Sequence, residues 1–558
     1  MISQILIVMI AAIAVAIYAE HRNIQPPLLL ALVGVAVSFV PGIPRLELDP
    51  EIILTIVVPP LLFSATSDFS LETFVKRLGS IVNLGVLQIL VTTAVVGAVA
   101  AALMPALTLP VALLLAAVVS PPDAVTAVAV GRKLNLPGRL MSVLKGENLI
   151  NDAAALTLFT FLSARVTGAD LFISNVLLYL AYNAVVGVIV GIVLGMIVRR
   201  VRSRMDNPSL ITVLTVLVPF TAFLIAQELG ASGVLAVVAA GFSLGHTSTG
   251  AGYAARLQER QFWRTADALL EAFIFAYIGL QMRFVLGDAL AAGYSLPMLL
   301  GMSAAVLLAV ILVRFGWVFL TSALSHWRAR VREKKLANPR PQRQKRRDTG
   351  KAAKVRGDSR RGGFEHQKPF TWQENLVIAW TGMRGVVTLA AAAGIPLVTL
   401  AGEDVPGRDV VQVIAFTVAI GTLLLQGLTL PWLIRVLKIS DPTEAVYRAG
   451  QRRKAAEIGK AASIGAAVAF RDQQTEPGAR AAAELMLERV MDENGAERQF
   501  RAGNGELMLA FGEKVLQARR EALIAARDKR QLDDEVVREL IEAMDLQEAA
   551  LTNWQPLR

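Results

Sequence analysis

Apolar runs of about twenty residues, each closed by a short polar stretch, recur along most of the chain, and a helix of that length crosses a bilayer. They predict roughly thirteen spans, near 2–19, 28–44, 50–66, 80–104, 109–130, 142–164, 170–198, 210–228, 232–247, 266–285, 296–322, 372–397 and 409–437. The polar connections alternate in charge. One set carries Arg22, Lys76, Arg77, Arg132, Lys133, Arg139, Arg199, Arg200, Arg202, Arg204, Arg256, Arg260 and Arg264; the other, such as PGIPRLELDPE and AGEDVPGRD, is short and poor in basic residues. Basic loops face the cytoplasm. That puts the N-terminus outside and the C-terminus inside, the arrangement an odd number of spans requires. The first run, SQILIVMIAAIAVAIYAE, lacks a basic leader and a small-residue cleavage site, so it reads as a retained span.

Two stretches depart from this pattern. Residues 327–369, between the eleventh and twelfth spans, contain RPQRQKRRDTGKAAKVRGDSRRGG, which has too little apolar surface to fold alone. This linker is expected near anionic lipid, and the lack of interleaved aromatic residues argues against nucleic acid. Residues 438–558 are mixed in charge, and GELMLAFGEKVLQARREALIAARD and LDDEVVRELIEAMDLQEAALTNW repeat apolar residues at helical spacing. They predict a small helical cytoplasmic domain, regulatory or concerned with assembly, behind a membrane domain at 1–437.

Composition sharpens this reading. Of 558 residues, 54% are hydrophobic and 18% charged, at a mean hydropathy of +0.52, which excludes a soluble globular protein. With no Cys and four His, a disulfide, a thiolate metal site and a His-based metal centre are all excluded or disfavoured. No nucleophile–base set stands out, so an enzyme is not expected, and no cofactor is called for. The net charge of +11 is explained by the cytoplasmic loops.

Charged and amide groups at bilayer depth are costly and mark function. In VVSPPDAVTAV, Pro121 and Pro122 precede Asp123 inside a span; proline removes a backbone donor and breaks the helix, and freed backbone groups persist in a membrane only where they line a polar cavity. In KGENLINDAAALTLF, Glu147 and Asn151 share one helix face and Asn148 and Asp152 another. Glu147 and Asp152 diverge by roughly 140°, so Asp152 can face the cavity of Asp123 while Glu147 meets another partner. Lys145 fits a simple cap at the surface. In WTGMRGVVTLAAAAGIPL, Arg384 lies between Gly382 and Gly385, and Gly394 and Pro396 follow. A lone Arg there needs a partner, and Glu147 is the expected one. Two broken spans, near 121 and near 395, point to inverted repeats with a binding site where the breaks approach.

SPPDAV, KGENLIND and GMRGVVTLAAA, in this order, resemble the monovalent cation:proton antiporter-1 family, the sodium/proton exchangers, over residues 1–437. The resemblance implies an all-α polytopic fold with two crossed, unwound helices, a dimerisation domain and a core domain that moves like an elevator, a homodimer, and residence in the plasma membrane. It implies that Asp152 binds either proton or cation, with Na+ at Asp152 and Asp123, and that Pro122 offers its carbonyl. Asn148 stands where relatives often have Ser, and its amide oxygen can still ligate a cation. Asn151 occupies a position that is acidic in electrogenic relatives, which implies electroneutral exchange. Glu147 and Arg384 match a structural ion pair. Ser64 in the third span stands where relatives often carry an acid, and Pro122-Asp123-Ala124 where they often have Thr-Asp-Pro.

The expected activity is exchange of Na+, with Li+ and K+ as further substrates, for protons. Burial favours a neutral carboxyl, and an uncompensated charge at the bilayer centre costs at least a few kcal/mol, which couples the two fluxes. A tail-gated cation channel using the same acids is the alternative. An organic-solute transporter is disfavoured by the small lining residues at Ala153–Ala155 and Ala390–Ala393.

Overall fold

The structure, a computed structural model, describes residues 2–22, 24–46, 52–67, 69–105, 107–123, 125–169, 173–245, 252–337, 369–439, 442–491 and 505–552. Among these residues the regular structure is helical, apart from one isolated bridge between Val398 and Asp404. The first helices are α1 (Ile2–His21), α2 (Pro26–Ser38), α3 (Ile53–Ser67), α4 (Leu71–Leu103), α5 (Leu109–Val119) and α6 (Val125–Lys133). Then come α7 (Gly138–Thr167), α8 (Val176–Arg202), α9 (Pro208–Glu228), α10 (Gly233–Gly245), α11 (Tyr253–Ala291) and α12 (Leu296–Ala337). The chain continues with α13 (Trp372–Trp380), α14 (Val386–Ala393) and α15 (Arg408–Leu437), and the tail supplies α16 (Pro442–Gln473), α17 (Pro477–Met491), α18 (Gly505–Asp528) and α19 (Asp534–Thr552). Among the described residues eight helices are long and apolar enough to cross a membrane: α1, α4, α7, α8, α9, α11, α12 and α15. α2, α3, α5 and α10 are shorter apolar helices.

Polar punctuation sets the ends. Asn207 caps α9 by accepting from the amides of Ser209 and Leu210, with Pro208 at the first helical position. Thr371 and Glu374 form a reciprocal capping box that starts α13. α7 stops at Gly168, whose φ of 80° is a left-handed cap.

Two expectations are corrected here. The first break falls where predicted, between α5 and α6 at Pro121 and Pro122. The second lies at Thr381–Gly385 and not near 395. Gly385 enters α14 with φ −138° and ψ −139°, and the backbone there bonds across to the first break, whereas Gly394 and Pro396 merely follow an ordinary helix end. The linker is shorter than expected: residues 327–337 continue α12, because WRARVREKKLA is rich in strong helix formers. The rest of the basic linker, 338–368, lies outside the described residues.

Internal contacts divide the chain into two compact units. One comprises residues 1–51, 74–180 and 272–439. Its apolar core joins α4, α6, α7, α12, α13 and α15 through Leu84, Ala127, Leu140, Val318, Ile378 and Leu430. In the same unit α2 and α11 approach at glycines. A β-carbon on Gly279 would lie 2.6 Å from the Ala31 carbonyl oxygen and 2.7 Å from the Gly34 α-carbon. The other unit comprises 52–73, 181–271 and 440–558, and within it the tail meets Arg256 and Arg260 of α11 and Ser67 at the end of α3. Within it, Leu523, Val537 and Ile541 centre one tail core and Phe470, Leu487 and Phe511 a second.

Gly279→Ala is expected to destabilise by about 1–3 kcal/mol through overpacking, read as a lower melting temperature in detergent. Gly287→Ala on the same helix, where an added methyl meets nothing within 4 Å, should leave the melting temperature unchanged or slightly raised.

Candidate functional site

Asp152 lies midway along α7 and is buried. Its predecessor, Asn151, donates from Nδ2 to the carbonyl oxygen of Pro122 at 2.5 Å. That bond fixes α7 against the first break. Asp123, four residues past the end of α5, is close enough to Asp152 for the two carboxylates to interact electrostatically. Its own amide donates to the Met383 carbonyl at 2.5 Å, which ties the first break to the second. A β-carbon on Gly385 would overlap Asp123 Oδ2, so only glycine lets the second break come this near. Residues Asp123, Pro122, Asn151 and Asp152 are therefore gathered in one place by the two interruptions; helical spacing alone sets Asn151 on the face of Glu147 and points only Asp152 toward Asp123. Asn148, half-buried, lies one turn before Asp152 on α7.

Two buried oxygens here have no hydrogen-bond partner among the described residues: Asn151 Oδ1, and Thr388 Oγ1 on α14 just past the second break. A buried acceptor without a donor is costly and calls for an ion or water. Asp152, Asp123 and Asn151 Oδ1 are hard oxygens of the kind that suit alkali cations and protons. Among the described residues no group of three or more His, Cys, Asp and Glu converges as a resident metal centre.

The expected Glu147–Arg384 pair is not formed. Glu147 is instead held by Arg314 of α12, with Nη1 to Oε1 at 2.6 Å and Nη2 to Oε2 at 3.1 Å, and both groups are buried. Arg314 also donates to the carbonyl of Ile378 on α13 from Nε at 3.1 Å and Nη2 at 2.9 Å. Arg384 turns to backbone. Its Nε donates to Val119 O at 2.9 Å, Nη2 to Ser120 O at 3.4 Å and Nη1 to Gly382 O. The physical reason is the break itself. The last carbonyls of α5 have lost their helical donors and carry the negative end of its dipole, which a guanidinium satisfies without a carboxylate. Arg314 was legible as the lone charge in LLAVILVRFGWVFL, the same signal that exposes Arg384.

Ser64 is not in the unit that holds Asp152. In its own unit its hydroxyl donates to Asp267 Oδ2 of α11 at 2.5 Å. Asp267 is thus an acid within a membrane-length helix that sequence reading passed over. A further pair steadies the second broken helix: Arg139 of α7 reaches Glu374 of α13 with both prongs, at 2.9 and 2.8 Å.

The profile of the family described as "Sodium/hydrogen exchanger, transmembrane" matches residues 5–436. An uncharacterised sodium/proton exchanger of Mycobacterium tuberculosis is 29% identical over 564 residues, covering 98% of this chain and 96% of the relative. A sodium/proton antiporter of Aphanothece halophytica is 28% identical over 78% of this chain and 75% of its own length. Among solved structures, the sodium proton antiporter of Methanocaldococcus jannaschii at pH 8 aligns with a TM-score of 0.56 over 78% of this chain and 98% of that one, at 19% identity, which shows a shared fold.

Removing one partner of a buried ion pair costs about 3–5 kcal/mol. Glu147→Gln and Arg314→Ala should each cost stability in that range. In thermal melts, a double-mutant cycle should give strong coupling between positions 147 and 314 and weak coupling between 147 and 384; the reverse ranking would restore the pair expected from the motifs.

Proposed function

This chain belongs to the sodium/hydrogen exchanger family, whose members are multi-pass membrane transporters and not enzymes, and on that premise we propose that it is an electroneutral antiporter exchanging Na+, and also Li+ or K+, for H+ with Asp152 as the shared site. One observation carries this reading: Asn151 is bonded to the Pro122 carbonyl at a helix break while its neighbour, Asp152, is buried beside a second carboxylate. A carboxylate so placed is satisfied by a proton or by a small cation, and one occupant excludes the other.

Asp123, Pro122, Asn148 and Asn151 supply the neighbouring oxygens. Each state that crosses the bilayer then carries a compensated Asp152, and the empty ionised state is the one excluded, since an uncompensated charge at the centre costs at least a few kcal/mol. Exchange follows from that exclusion. Asn151 is neutral, so one cation replaces one proton and no net charge moves. We read the shorter apolar helices and the α5–α6 and α13–α14 pairs as spans too, which gives the thirteen expected, arranged as inverted repeats whose breaks cross beside Asp152. The same reading makes the transporter an elevator-like homodimer of the plasma membrane, with the N-terminus outside and the tail in the cytoplasm. A gated channel gains no support from the relatives, which are named as exchangers and antiporters.

Reconstituted into proteoliposomes with a lumenal pH dye, the wild type should move protons in answer to a Na+, Li+ or K+ gradient, at a rate indifferent to a clamped membrane potential. Asp152→Asn should abolish this exchange and Asp152→Glu should retain part of it. Robust cation-driven proton movement by Asp152→Asn vesicles, or a current without a proton gradient, would overturn the proposal.

A further inference from the structure

The unit that contains the tail holds a cavity of about 110 Å³. It lies near Ser67, the last residue of α3, and its charged lining is Arg202, Arg256, Arg260, Arg264, Glu259 and Asp267. Four guanidinium groups against two carboxylates leave an excess of two positive charges (4 − 2 = 2). A wall with that excess repels a cation. Among the described residues none of the lining belongs to the tail.

The tail instead meets these arginines. Asp545 of α19 is fully buried and receives Arg256 with both prongs, Nε to Oδ2 at 2.9 Å and Nη2 to Oδ1 at 2.5 Å. Glu542, one turn earlier, pairs with Arg260 at 3.1 Å. Arg538 donates from Nη1 to the Ser67 carbonyl at 2.9 Å, which pins α19 to the end of α3. The tail's own cations at this contact are matched locally: Arg520 reaches Glu548 at 2.5 Å and shares Asp545 at 3.1 Å, and Arg538 lies 3.5 Å from Asp534. Docking therefore brings two acids onto two lining arginines and cancels the excess. Arg202 is already held by Glu259 at 3.0 Å.

We propose, resting on the antiporter reading above, that the docked tail is an electrostatic activator of cation entry: Asp545 and Glu542 neutralise Arg256 and Arg260 on the cavity wall, so that a monovalent cation can occupy it. The geometry gives the tail a sign. A plug would line the cavity and slow exchange; α19 stands behind the wall and alters only its charge.

The test measures the Na+ dependence of exchange by the full chain in proteoliposomes. Asp545→Asn with Glu542→Gln should raise the KM for Na+ about fivefold, with the maximal rate retained, as expected for two unit charges acting through a largely aqueous path. The shift should shrink when N-methylglucamine chloride raises the ionic strength. Adding Arg256→Gln and Arg260→Gln to that double variant should return KM to the wild-type value although no ion pair is re-formed, a recovery that a merely structural role would not give. Glu542→Gln alone, at a pair open to solvent on both sides, should give about a twofold rise, and an unchanged KM in this variant overturns the proposal. A lower KM or a faster maximal rate in the double variant also overturns it, since the tail would then be a brake. Wild-type vesicles separate the two claims: no exchange there defeats the transport reading, whereas wild-type exchange with an indifferent tail defeats only the electrostatic role.

Discussion

In hydrocarbon, a backbone carbonyl that has lost its helical donor has no water to turn to, and two stretches of this chain are interrupted inside apolar sequence. Their freed groups are answered locally and largely by one another. Pro122 O takes the Asn151 amide, Met383 O takes the Asp123 N–H, and Val119, Ser120 and Gly382 share the Arg384 guanidinium. Ile378, in the helix before the second break, accepts twice from Arg314. The two breaks are thus mutually dependent. Arg384 at the second break serves carbonyls at the first, Asp123 at the first donates to Met383 in the second, and the polar cluster around Asn151 and Asp152 lies where they meet.

The charges of this unit sort by the same rule. Glu147 has Arg314, Glu374 has Arg139, and Arg384 has a ring of carbonyls. Buried polar atoms without a hydrogen-bond partner among the described residues include Asn151 Oδ1, next to Asp152, and others of the same unit on Gln88, Thr92, Ser303 and Gln426. A scaffold that pairs Glu147, Glu374 and Arg384 leaves Asp152 a buried carboxyl with no such partner among the described residues.

Much of this was legible in the chain. Apolar length gave the helices, the Pro121-Pro122 pair gave the first break, and helical spacing separated Glu147 from Asp152. Three features were not legible, for physical reasons. Two buried arginines, 314 and 384, compete for one glutamate, and spacing within a helix says nothing about which helix lies opposite. The second break depends on Gly385 being met by Asp123 and Gly382 by Arg314, both from other segments, contacts that glycine content alone does not encode. The Ser64–Asp267 bond joins residues 203 apart in sequence. In each case the missing information was tertiary.

Gly385 has a consequence for the spacing of the two breaks. Its absent side chain is occupied by the Asp123 carboxylate, so the gap between the two breaks is set by a hydrogen atom. Enlarging that atom to a methyl would push the carboxylate outward while leaving every charge in place. Position 385 therefore sets by size alone, separately from the charge of the aspartates, how closely Asp123 approaches the second break.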